Sequence, residues 1–342
     1  MKTIHTHEGR FPLVSVIIPN YNHARFLDQR LQSVLNQTYR NIEVIILDDC
    51  STDNSLEVIE KYRSDTRIVD VIVNEKNSGS TFLQWDKGIH LAKGELVWIA
   101  ESDDYCELNM LEELVKAISK HPKTVIAYTD MVSVNESGDP LSPWKDFPHS
   151  PIKKGEIAPT ANYTLIRVVE KIKFTNRYLT SRRFTKKYLA FYCAIKNASG
   201  TIFRKEPALN LSDKYITIKA AGDYMFWTEL AQRGHIAVIN RPLSYFRRHA
   251  QTVSHNRNID GTNLKAEFEI YNWIRQQIHF SYFRKLIVMS QRASKLKRTP
   301  FVNETVQKEI YDIWKVERYS SKMNKVINWV CEKAYYYFRV HI

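Results

Sequence analysis

The sequence has no run of about 18 apolar residues, the length that a membrane-crossing helix requires. Its first residues, MKTIHTHEGRFP, have no apolar centre, so no signal peptide is expected. The cysteines (Cys50, Cys106, Cys193, Cys331) lie far apart and form no CxxC pair. That spacing excludes a disulfide framework and a zinc knuckle, and points to free thiols in a reducing compartment. The first apolar run is not followed by GxGxxG, which disfavours a dinucleotide fold, and GxxxxGK[ST] is absent, which excludes a P-loop. There is no zinc-finger spacing and no aromatic RNA-binding signature, so nucleic acid is not an expected partner. No internal repeat or low-complexity segment interrupts the chain.

A chain of 342 residues with 44% hydrophobic and 25% charged residues can bury one large core or two smaller ones. The formal charge is +13. From Lys265 to Ile342, 15 Lys and Arg stand against 7 Asp and Glu, so much of the excess is C-terminal. A basic tail of this kind meets an anionic surface or water.

Short apolar runs alternate with helical spacing over the first 130 residues. Strands are predicted at 13–19, 42–48, 69–74, 95–100 and 124–130, with helices at 24–37, 53–62, 81–92 and 110–120. Near-continuous apolar strands between helices predict a mostly parallel sheet covered on both faces. Ser137-Gly138-Asp139-Pro140 predicts a turn. Residues 141–196 read as irregular, basic and aromatic. Beyond them the pattern predicts a strand at 198–204, a helix near 223–233, two strands near 236–248 and helices from about 263 onward. Phe268, Tyr271, Ile274 and Ile278 form one stripe. Met323, Val326, Ile327, Val330, Ala334 and Tyr337 form another beside Lys322, Lys325, Lys333 and Arg339, which suits packing on the domain or contact with an anionic membrane.

Ligands of open α/β sheets bind beyond the carboxyl ends of the strands. Three predicted strands end in polar residues: PNYN (19–22), DDCSTDNS (48–55) and ESDD (101–104). Asp49, Ser51 and Asp53, and likewise Asp103 and Asp104, taken alone read as helix caps before they read as ligand-binding groups, but three such endings on one sheet edge favour a ligand. A nucleotide held without a glycine-rich loop needs an aromatic ring for the base, a carboxylate for a ring N–H and a metal for the diphosphate. Tyr21, Asp49 and the Asp103/Asp104 pair would supply these.

The stretch VSVIIPNYNHARFLDQRLQSVLNQTYRNIEVIILDDCSTDNS, followed by NSGS and KGIHLAKGELVWIAESDD, resembles the nucleotide-binding half of the family 2 glycosyltransferases. A weaker likeness continues through NASGTIFRKE (197–206) and AGDYMFWTELAQRGHIAVINRPLSYFRRH (221–249). The resemblance implies a GT-A, Rossmann-like fold: a mixed, mostly parallel sheet with helices on both faces, plus a helical C-terminal extension. It implies a glycosyltransferase domain over 1–254, with a nucleotide-sugar-binding half at 1–120 and an acceptor and catalytic half at 121–254, and an extension at 255–342. Pro19 and Tyr21 would lie against the base, and Asp49 would accept a pyrimidine N3–H. Ser51 and Gly79 fall in the same nucleotide-binding stretches. Asp103 would face the ribose and Asp104 would hold Mg²⁺ or Mn²⁺, on the premise that neighbours at a strand end point oppositely. Arg248 would contact the diphosphate, and His249 is a further candidate metal ligand. Where relatives carry Glu-Asp before an apolar helix, this chain has Gly222-Asp223, and Asp223 becomes the candidate base. Its reading as a helix N-cap stays open. Trp85-Asp86 replaces an Arg-Asn pair, which leaves contacts at that point undefined.

The implied activity is inverting transfer of a sugar from a nucleoside-diphosphate donor, UDP-linked, to a hydroxyl of a growing surface glycan or lipid-linked acceptor. The implied place is the cytoplasm or the inner face of the membrane. The alternatives are a nucleotidyltransferase and a non-catalytic nucleotide-sugar binder in a glycan assembly complex.

Overall fold

The computed structural model describes residues 11–141, 177–249, 260–297 and 299–316. Most of the expected irregular segment, the stripe at 323–337 and Cys331 lie outside the described residues.

The first half alternates as the pattern predicts: β1 (Val14–Asn20), α1 (Ala24–Leu35), β2 (Ile42–Asp48), α2 (Ser55–Glu60), β3 (Ile68–Val73), α3 (Thr81–Leu91) and β4 (Leu96–Ile99). A two-residue strand β5 (Tyr105–Cys106) then precedes α4 (Met110–Ser119) and β6 (Thr124–Val134). After β7 (Arg177–Leu179) come β8 (Thr201–Arg204), α5 (Gly222–Leu230), β9 (His235–Arg247), α6 (Thr262–Gln277), α7 (Tyr282–Lys297) and α8 (Glu304–Trp314).

The sheet runs β3-β2-β1-β4-β8-β6-β9-β5, with β7 also on β9. The strands β3, β2, β1 and β4 are parallel neighbours. β8 is antiparallel to both β4 and β6, which makes the sheet mixed. The two strands expected near 236–248 are one 13-residue strand. Its pairing with β6 slips between Thr129, Asp130 and Met131, where Pro242 enters opposite Asp130. Proline lacks a ladder N–H, and a bulge absorbs it without ending the strand.

Alternation along β1 sends residues to both faces. Val14, Val16 and Ile18 pack with Leu27, Leu31 and Val34 of α1 and Leu111, Leu114 and Ile118 of α4. Each such buried side chain contributes about 1.5–3 kcal/mol. Ile17 points the other way and meets α3. A Cβ on Gly88 would stand 2.4 Å from Ile17 Cγ2, so only glycine lets α3 lie this close.

The described residues group into two compact units. One comprises those within 1–179, 197–211 and 233–249, and the other those within 180–196, 212–232 and 250–342. The first contains the whole sheet. In the second, Trp314 donates its indole N–H to Leu264 O at 3.1 Å and packs on Phe268, which fastens α8 to α6. Tyr271, Ile274 and Ile278 of the expected stripe are buried there.

Candidate functional site

The polar ends of β1, β2 and β4 gather on one edge of the first unit. Pro19 is buried within β1, while Tyr21 just beyond it is 45% exposed and open to a ligand. Asn22 (φ 55°) and Cys50 (φ 64°) turn the chain through the left-handed region after β1 and β2. Such strain gathers where a local geometry is held by its surroundings.

Ser51 faces inward. Its hydroxyl donates to Asp48 Oδ1 at 2.6 Å and accepts from Asn22 N at 2.9 Å, so it ties the two strand ends together. Asp53 is a cap: it accepts from Ser55 N at 3.0 Å and from Ala24 N at 2.9 Å, the first amides of α2 and α1. Burial raises the Asp53 carboxyl, but these hydrogen bonds outweigh it and leave it below the ordinary range.

Asp49 is buried, and its carboxylate is filled from the protein side. Oδ1 accepts from Asn74 Nδ2 at 2.6 Å, Ser78 N at 2.9 Å and Gln84 Nε2 at 3.0 Å. Oδ2 accepts from the Ser78 hydroxyl at 2.7 Å. A carboxylate offers about four acceptor sites, so a base N–H would compete with bonds already made. Those bonds hold the turn at Gly79, whose φ of +74° is the left-handed conformation glycine adopts without cost.

Past β4 the chain makes a turn over 101–104 rather than continuing as a strand. Asp104 is buried, and its Oδ1 accepts the Arg247 amide N–H at 2.9 Å. Burial, and then the charge of Asp103, push its carboxyl up to about 7. Asp103 turns outward instead. His249 Nε2 lies 3.0 Å from its Oδ2, and one ligand atom each of His23, Asp103 and His249 all fall within 4.8 Å of one another. Ser102 Oγ is 2.8 Å from His23 Nδ1, which fixes that ring's orientation. Burial lowers the His23 imidazole, against the pull of Asp103, and so favours the neutral ring that a metal binds. Burial would raise Asp103, but His249 and His23 hold it below the ordinary carboxylate range. The helix-cap reading fails for both aspartates, since α4 begins at Met110 without a side-chain cap. Asp103 thus takes the outward position beside the two imidazoles and Asp104 the inward one, whereas the resemblance implies Asp103 toward the ribose and Asp104 toward a metal.

Two imidazoles and a carboxylate form a mixed nitrogen and oxygen donor set. Mg²⁺ demands oxygen ligands, whereas a softer divalent ion accepts imidazole as well. Of the two ions expected, Mn²⁺ fits these residues better.

Glu101 is pushed up to about 8 by burial and then by Asp103, and the buried Trp85 donates its indole N–H to it at 2.7 Å. Trp85, where the chain departs from the Arg-Asn pair, therefore has its partner in Glu101. Arg247 is a buried knot: Nε donates to Asp103 O at 2.8 Å and Nη2 to Gln29 Oε1 at 2.6 Å, with the guanidinium over Phe26. Arg248 is exposed, and its amide donates to Val134 O at 2.9 Å.

Asp223 belongs to the second unit, in the first turn of α5. Ala221 before it has φ 54°. Burial raises the Asp223 carboxyl more than the amides of Tyr224 and Asp223 lower it. Cys193 Sγ lies 4.0 Å from its Oδ2. Desolvation thus outweighs the helix terminus and holds the carboxyl above its ordinary range.

His23 was not singled out from sequence. It directly follows the PNYN strand end, and that adjacency is the signal it offered.

Residues 15–182 match the sequence profile of glycosyl transferase family 2. Glycosyltransferase GlyG of Streptococcus pneumoniae is 37% identical over 33% of this chain and 38% of its own length. Poly(ribitol-phosphate) beta-N-acetylglucosaminyltransferase TarS of Staphylococcus aureus is 30% identical over 62% of this chain and 36% of its own. The chain therefore spans little more than a third of either relative. The crystal structure of S. aureus TarS 1–349 superposes with TM-score 0.50 at 19% identity, covering 90% of this chain and 72% of that one. A GalNAc-T7 structure with UDP, GalNAc and Mn2+ gives 0.52 at 15%, covering 89% and 54%. At these identities the structures establish the fold, which is GT-A.

Proposed function

Because this chain belongs, over residues 15–182, to glycosyl transferase family 2, we propose that it transfers a sugar from a UDP-linked donor to a hydroxyl of a bacterial surface glycan, with inversion. The observation that carries this reading is the His23, Asp103 and His249 cluster beyond β4, at the edge where α/β sheets bind ligands. These three residues would hold Mn²⁺. A divalent ion there would neutralise the charge that grows on the departing diphosphate.

The chain's own residues take the remaining roles. Tyr21 offers an exposed ring for the base above Pro19. Asp49 and Ser51 hold the two turns, at Gly79 and Asn22, that border it. Arg248 supplies a cation at the end of β9, suited to a phosphate. Asp223 takes the acceptor's proton as the new bond forms, since burial has already raised its basicity. Donor synthesis places such an enzyme on the cytoplasmic side. The pneumococcal and staphylococcal relatives, one named for poly(ribitol-phosphate), support a cell-surface glycan as acceptor.

A hydrolysis screen over UDP-, dTDP-, GDP- and ADP-sugars, each with Mn²⁺ and with EDTA, tests the reading. Release of UDP that depends on Mn²⁺ is expected. Equal release in EDTA, or a preference for ADP-sugars, would refute it.

A further inference from the structure

The formal charge of +13 is not spread evenly. Residues 180–196 hold five Lys and Arg with no Asp or Glu, and residues 270–303 hold seven with none. These two stretches carry twelve of the thirteen net charges, so the rest of the chain is close to neutral. Solvated surfaces usually intersperse both signs, and a single-sign field costs stability through self-repulsion.

The second unit brings the two stretches together. Arg284 of α7 donates from Nη2 to the carbonyl oxygen of Lys186 at 2.5 Å. Its Nε is buried and has no hydrogen-bond partner among the described residues. Lys186 is held below its ordinary range by desolvation and by the charges of Arg182 and Arg284. Its ammonium stands 5.9 Å over the Phe280 ring, and that of Lys187 stands 5.5 Å over Tyr188. Aromatic faces thus stand under both ammonium groups, and a ring face does not neutralise the Lys186 charge. No carboxylate pairs with Arg182, Lys186 or Arg284 among the described residues. The 180–196 segment is also fastened to the start of α5: the Tyr224 hydroxyl donates to Leu189 O, and Cys193 lies against Asp223.

We propose that this cationic face binds the acceptor, and that the acceptor is a polyanionic glycan bearing repeated phosphate or carboxylate groups. The inference rests on the transferase reading for the word acceptor, and on charge and geometry for the word polyanionic. Guanidinium forks suit phosphate and carboxylate. A lipid surface fits less well, because an interfacial helix presents a row of apolar side chains to the bilayer. Among the side chains described in α7 and in 180–196, Tyr282 is the one large apolar group in the open, at 80% exposure. A lone exposed ring beside several cations suits a sugar face flanked by charges.

The test uses the full chain and defined probes: alginate and inorganic polyphosphate as polyanions, dextran as a neutral glycan, phosphatidylglycerol vesicles, and single-stranded DNA. Binding is measured across a salt series for the wild type, for the Arg182→Gln/Lys186→Gln double variant and for the charge-preserving Arg182→Lys/Lys186→Arg variant. UDP titration with Mn²⁺ and a melting curve accompany each sample. The polyanions are expected to bind and dextran not. The Gln variant should bind them at least tenfold more weakly, with the log-log salt slope reduced by about two for the two cations removed. The charge-preserving variant should keep the wild-type slope. Polyanion binding by the wild type that is lost in the Gln variant, in a protein that never binds UDP, would retire the transferase reading and leave the polyanion surface standing. Equal binding of dextran, an unchanged slope in the Gln variant, or tighter binding to vesicles or DNA than to either polyanion would overturn the proposal.

Discussion

Asp49 and Asp103 stand beyond two parallel strands of the same mixed sheet, and they have opposite surroundings. Asp49 is met by Asn74, Ser78 and Gln84, and both of its oxygens accept from the chain's own donors. Asp103 is met by two imidazoles, and one ligand atom from each of the three lies close enough to the others to share a divalent ion. The first arrangement holds a turn, and the second leaves coordinating capacity. A carboxylate's position in a motif fixes which edge of the sheet it occupies. The donors around it then decide whether it supports the backbone or serves a ligand.

That contrast can be broken most severely at Asp223, the carboxylate of the second unit. As a general base its loss costs about 10²–10⁴ in kcat. Asp223→Asn should therefore abolish most turnover while UDP affinity stays unchanged, as steady-state kinetics beside a calorimetric titration would show. Its folded pKa is raised by burial. Stability from its protonated form is then fully present below the ordinary Asp value of about 3.9 and is lost as pH rises through the raised folded value. The Asn variant should melt at or above the wild type near neutral pH and should match it in acid. A variant that melts lower at neutral pH and keeps its turnover would make Asp223 a structural cap.

A smaller effect is expected at Asp49. Asp49→Ala leaves Asn74, Ser78 and Gln84 without their acceptor, at about 1–3 kcal/mol for a stranded buried polar group. Urea unfolding should register that loss, and the preference for UDP over ADP should persist. If the variant is as stable as the wild type but no longer distinguishes the two nucleotides, Asp49 reads the base directly. The smallest effect is expected at its neighbour. Cys50 has a positive φ, which costs a residue with a Cβ about 1–2 kcal/mol. Cys50→Gly should stabilise by up to about 1 kcal/mol in the same assay. Destabilisation would mean that the thiol contributes more than the strain costs.

The parallel half of the sheet was legible because its strands are short apolar runs between helical stripes, and α1 and α4 bury the residues that their spacing marks. β9 is one strand where the pattern predicts two, because Pro242, which has no ladder N–H, is absorbed by the register slip against β6. β5 is too short to leave a periodic signal. The aspartates of ESDD were placed on the right edge, but their directions came from strand alternation, and residues 101–104 form a turn in which that alternation does not hold. His23 and His249 are 226 positions apart in sequence. Their rings come within 5.4 Å only through the fold. The filling of Asp49 likewise depends on a turn some 25 residues downstream, which its own neighbourhood in sequence does not reveal.

The central claim is that Asp103, and not Asp104, holds the metal through which the diphosphate is bound. Calorimetric titration of UDP into the wild type, Asp103→Asn and Asp104→Asn, with and without Mn²⁺, tests it most directly. Wild type should bind UDP tightly only with Mn²⁺. Asp103→Asn should lose that dependence, and Asp104→Asn should keep it, because an amide oxygen still accepts the Arg247 N–H. Binding that survives in Asp103→Asn and disappears in a folded Asp104→Asn would contradict the account.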